Sequence, residues 1–145
     1  MNHTSLQSAR KSHSAQAYVN IGLETQVLSA SSEQLITLLF RGALTTIAKA
    51  KIYMQNSNIS GQGSAISKAI EIVDSGLKAS IDREAGGELA TNLTATYEII
   101  IRNLLQANLH SDVEKLELAE RLLSEIGDAW QTAVGINHKE ASSAL

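Results

Sequence analysis

The chain has 145 residues, no cysteine, no proline, and a net charge of -3 from 12 basic and 15 acidic residues. Such a length suits one domain with a real core, and the missing cysteines exclude both a disulfide framework and a thiolate metal site. Neither the total charge nor any local run forms a nucleic-acid footprint, and the absence of the roughly seven prolines that average usage would supply favours long unbroken helices.

Residues 1–14 are rich in Ser, His, Asn and Lys; too little apolar content offsets the entropy of ordering them, so a disordered tail is expected. No apolar run of signal-peptide length occurs there, and nothing later approaches about 18 consecutive apolar residues, which predicts a cytoplasmic chain without membrane insertion. From Ala15 to Ser29 the stretch AQAYVNIGLETQVLS carries Tyr18, Val19, Ile21, Leu23, Val27 and Leu28. Gly22 interrupts it, so a hydrophobic strap or short helix is expected.

Ser31, with Gln34 three residues on, spells a capping box ahead of LITLLF. Leu35, Leu38, Leu39, Ala43, Ile47, Ala50 and Met54 then recur at helical spacing, and NSNISGQGS closes the element as a loop. The spacing predicts a second helix from Ser64 to about Asp82 that buries Ile66, Ile70, Val73, Leu77 and Ile81, leaving Ile72 and Ala79 on a flank. The third, GGELATNLTATYEIIIRNLLQAN, carries Leu89, Leu93, Tyr97, Ile100 and Leu104 in one stripe. Ala90, Ile101 and Leu105 widen its apolar arc to roughly 160°, beyond the roughly 100° that one packed face requires.

Ser111 with Glu114 suggests a second capping box, opening a fourth helix through Leu116, Ala119, Leu122, Leu123, Ile126, Trp130 and Ala133. The expected fold is all-α, an antiparallel four-helix bundle with an additional N-terminal strap or short helix. In domain terms this is a tail over 1–14, the bundle with its strap over 15–134, and a frayed tail over 135–145. Gly42, Gly76 and Gly127 fall inside predicted helices, either simply tolerated or marking close approach of another backbone.

Little of this suggests catalysis. A di-metal bundle needs inward carboxylates and Glu-x-x-His pairs; no Glu-x-x-His occurs, and His3, His13, His110 and His138 fall in tails and a loop. GQGS lacks the Gly-Lys-Ser/Thr ending of a phosphate-binding loop. No enzyme activity, metal or cofactor is therefore expected. What stands out is surplus apolar surface, to be covered by the chain itself, a second copy or a partner segment.

Four pieces carry a family likeness: Ala17 and Tyr18, the run SASSEQLITLLFRGAL, the helix LATNLTATYEIIIRNLLQANLHSD, and DAW at Asp128 to Trp130. In this order, from about Ala15 to Ala133, the chain resembles the flagellar secretion chaperone FliS family. Two positions depart from the family's habit: Ser32 stands where proline is common, and Arg41 where an acidic or amide residue usually precedes the glycine. The resemblance implies a bundle that holds the C-terminal segment of flagellin in the cytoplasm, blocks its premature polymerisation and assists delivery to the flagellar type III export apparatus. It also implies that the strap around Tyr18 can cover part of that surface. The expected partner-binding residues are Ile72, Gly76 and Ala79 of the second helix and Ala90, Thr94, Ile101 and Leu105 of the third, with Tyr18, Val19 and Ile21 as cap or rim. The rival expectation is a structural or adaptor homodimer closed by the same flanks.

Overall fold

The computed structural model describes residues 31–143, with side chains placed for 31–135; the tail over 1–14 and the strap from Ala15 to Ser29 lie outside the described residues. Helix α1 spans Ser32–Gln55. Its start is the expected capping box: Ser31 Oγ accepts from Gln34 N at 3.2 Å, and Gln34 Oε1 accepts from Ser31 N at 2.8 Å. Both partners lie within one turn, so the local sequence suffices to set this end. The helix buries Leu39, Phe40, Ala43, Ile47 and Ala50.

Helix α2, Ile59–Glu71, begins earlier than the expected Ser64. Asn58 Oδ1 accepts from Gly61 N at 2.9 Å and caps it. GQGS is thus helix rather than loop. The reason is packing: Gly61 lies flat against Tyr53 of α1, where an added Cβ would meet the ring at 2.6 Å. The next residue, Gln62, is buried, and its amide donates to the Asn108 carbonyl and to Asn108 Oδ1 and Ser111 Oγ at 3.2–3.3 Å. These bonds tie the start of α2 to the far end of the third helix.

Beyond Glu71 the helix widens into a π turn, Ile72–Leu77, then tightens into a 3₁₀ turn, Lys78–Ser80. Widening puts an extra residue into the turn and rotates the side chains beyond it about the axis. Ile72 and Val73 are accordingly both fully buried, while Ile70 and Ile81 are only half-buried. The expected place of Ile72 on a flank is corrected: it belongs to the core.

Helix α3 spans Arg83–His110, with Asp82 Oδ1 accepting from Glu84 N and Ala85 N at its start. Gly87 breaks it, with φ 56° and ψ -133°, a conformation that a side chain would strain. The helix axis restarts there, and Leu89, expected in the core stripe, is 75% exposed. Tyr97, Ile100, Leu104 and Ala107 are buried as the helical spacing requires.

Helix α4 spans Val113–Ser143, its backbone continuing past Gly135, where fraying was expected. Its cap is Asp112, not Ser111: Asp112 Oδ1 accepts from Glu114 N at 3.0 Å and Lys115 N at 3.3 Å. Ser111 instead ends α3 in the left-handed conformation, φ 50°. Leu116, Ala119 and Leu123 are fully buried, and the Trp130 indole N–H donates to Thr37 Oγ1 of α1 at 3.0 Å.

The helices close a ring in which α1 packs on α2 and α4, and α3 packs on the same two. One contiguous core fills it, with Ile47, Ile66, Ile72, Ile100, Leu104, Leu116 and Leu123 all fully buried. This is the all-α four-helix bundle, and among the described residues there is no strand.

Candidate functional site

The expected binding residues divide by depth. Ile72 lies wholly inside, and Gly76 is buried with it: an added Cβ there would stand 2.9 Å from both terminal methyls of Leu39. What comes close at Gly76 is thus the Leu39 side chain of α1, inside the bundle, and not another backbone as expected. Ala90 and Thr94, on successive turns of α3, are 4% and 8% exposed, and the Thr94 hydroxyl donates back to the Ala90 carbonyl at 2.8 Å. That bond satisfies the buried hydroxyl without a partner from another helix. Ala79, after the π turn, is exposed. Tyr18, Val19 and Ile21 lie outside the described residues.

Ile101 and Leu105 remain. Ile101 is half-buried with one side against the core, while Leu105 is 55% exposed. Residues four apart on a helix point within about 40° of each other, so Leu109, 77% exposed, continues the same line. Val113, across the turn at the start of α4, is 36% exposed. The structure thus assembles an apolar strip along the C-terminal half of α3: Ile101 at its inner edge, Leu105 and Leu109 outermost. Leu109 was missed because its nearness to His110 and Ser111 suggested a loop. The signal was present in its spacing of four from Leu105.

Burial pushes the Tyr97 phenol far above its ordinary value, so it stays protonated and cannot act as a base. Among the described residues no group of three or more His, Cys, Asp or Glu side chains converges as metal ligands would. No helix among them is long and apolar enough to cross a membrane. The π turn Ile72–Leu77 carries an i,i+4 ion pair between Asp74 and Lys78 at 2.8 Å on its outer side.

Comparison with known proteins points to one family. Residues 14–137 match the family model described as flagellar protein FliS. The chain is 46% identical over 119 residues to the flagellar secretion chaperone FliS of Escherichia coli, covering 82% of this chain and 88% of that one. It is 47% identical over 115 residues to the protein of the same name from Salmonella typhimurium, covering 79% and 85%. It is 39% identical over 121 residues to the flagellar secretion chaperone FliSB of Pseudomonas aeruginosa, covering 83% and 93%. With one family spanning nearly all of the bundle, the chain belongs to the FliS family of flagellar secretion chaperones.

Proposed function

We propose that this protein is a cytoplasmic, non-enzymatic export chaperone that binds the disordered C-terminal segment of flagellin. Holding that segment keeps it from polymerising prematurely and readies it for the flagellar type III export apparatus. The observation that carries this reading is the exposed apolar strip through Leu105 and Leu109, edged by Ile101, on a bundle whose core is otherwise complete. Large apolar side chains aligned on one helix face suit an amphipathic segment laid alongside.

The mechanism is competitive. A segment that folds only when it meets a partner must offset several kcal/mol of ordering with buried surface. A chaperone that supplies this surface first removes the segment from the pool able to assemble. Titration of the full chain with a synthetic flagellin C-terminal peptide, followed by calorimetry and light scattering, tests the reading. One-to-one binding to a monomer is the expected result. A stable dimer that ignores the peptide would overturn it in favour of the homodimer.

A further inference from the structure

A groove of 540 Å³ opens along the outer side of the α1–α2 seam, away from the strip on α3. Its charged lining residues are Arg41 and Lys49 on α1 and Lys68 on α2; no acidic side chain lines it. All three cations are exposed, in a chain whose net charge is -3. The ion pairs formed by lysine among the described residues use Lys51 and Lys78 instead. Between the cations, Thr45, Ser60 and Ser64 line the walls with hydroxyls.

We propose that this groove docks an extended, acidic peptide segment of a partner protein. Charge complementarity argues for the acid. The chain's own outlying segments do not supply it: residues 1–30 hold Arg10 and Lys11 against Glu24, and residues 136–145 hold Lys139 against Glu140. Geometry argues for the extended form. Eight positions separate Arg41 from Lys49, about 12 Å along a helix that rises about 1.5 Å per residue. An extended chain advances about 3.3 Å per residue and points every second side chain the same way. Two carboxylates four residues apart therefore match the two cations, with Lys68 facing them across the groove. An extended peptide also leaves its backbone N–H and C=O groups unpaired, and the three hydroxyls can donate to and accept from them. A docked helix, its backbone already bonded, would leave them idle.

The test uses rhodamine-labelled peptides in a Ser/Thr/Ala background, with two glutamates spaced two, four or six residues apart, each paired with its glutamine counterpart. Anisotropy titrations with the full chain at low ionic strength are expected to favour the four-residue spacing, at least about tenfold over glutamine. Binding should weaken as salt is added, because these charges face solvent. The double variant R41E/K49E should abolish it while its thermal unfolding matches that of the unaltered chain. No binding by any glutamate peptide, equal binding by glutamine peptides, or persistence in the double variant would overturn the proposal. A self-association seen by light scattering and lost in R41E/K49E would likewise overturn it, assigning the groove to a second copy. Because no flagellin is present, these outcomes are independent of the apolar strip.

Discussion

At the scale of single residues, Leu105 and Ile101 differ in a way that binding and stability measurements can separate. Leu105 is 55% exposed, so Leu105→Asp removes a contact available to a partner and little else. It should weaken binding of the flagellin peptide by about tenfold or more, while stability moves by no more than about 0.5 kcal/mol. Ile101 also touches the core. Ile101→Asp should therefore cost about 1–3 kcal/mol of stability as well as binding, because its carboxylate would be partly desolvated. Calorimetric titration and thermal unfolding of both variants check this. If Leu105→Asp binds normally, the strip is not the client's seat.

Gly76 gives the second residue-scale prediction. A methyl there would press on Leu39, itself fully buried and unable to swing outward. Overpacking of this kind costs about 1–3 kcal/mol. It outweighs the gain of about 1 kcal/mol that alanine brings over glycine in a helix interior. Gly76→Ala should lower the thermal midpoint by a few degrees, measured by circular dichroism. An unchanged or raised midpoint would mean that α1 and the π turn can move apart freely.

At the scale of elements, the helix ends show how far local sequence reaches. Ser31 and Gln34 bond to each other's backbone within one turn, and the start of α1 was legible from them alone. The start of α4 was not. Ser111 and Asp112 are both good caps, and Ser111 has the glutamate at the right distance. What decided between them was the end of α3: Ser111 takes the left-handed conformation there, and its hydroxyl lies within reach of the buried Gln62 amide. Asp112→Ala should accordingly cost about 1 kcal/mol, read from urea unfolding through the single tryptophan. A neutral result would return the capping role to Ser111.

The same reasoning explains the misplaced flank. Helical spacing read at about 100° per residue holds only while the helix is regular. The π turn at Ile72–Leu77 and the break at Gly87 each reset the phase. Ile72, expected on a flank, is buried, and Leu89, expected in the stripe, is exposed. Leu104 and Ile100, well beyond either irregularity, fell where the spacing put them.

At the scale of the whole molecule, the described residues form one contiguous core by themselves, with fully buried large side chains running from Leu39 to Leu123. Deleting residues 1–24 should therefore leave the thermal midpoint within a few degrees of the full chain. If the Tyr18 segment competes for the client surface, the shortened chain should bind the flagellin peptide more tightly, by the fraction of time that the segment occupied it. Weaker binding would make Tyr18, Val19 and Ile21 part of the seat. Calorimetric titration of the shortened and full chains distinguishes the two.

Composition and periodicity by themselves determined that the chain is helical, that it has about four long elements, and which stripe of each is apolar. These properties depend on neighbours within a few turns, and the 24 and 31 helical residues of α1 and α4 average out local error. Tertiary structure alone decided which apolar residues stay exposed. Burial of Ile72, Ala90 and Thr94 against exposure of Leu105 and Leu109 depends on how far each helix is rotated and where its neighbour lies. It decided, too, that Arg41, Lys49 and Lys68 share one groove, since two of them sit on α1 and the third on α2. Charges on different helices become neighbours only when the helices pack.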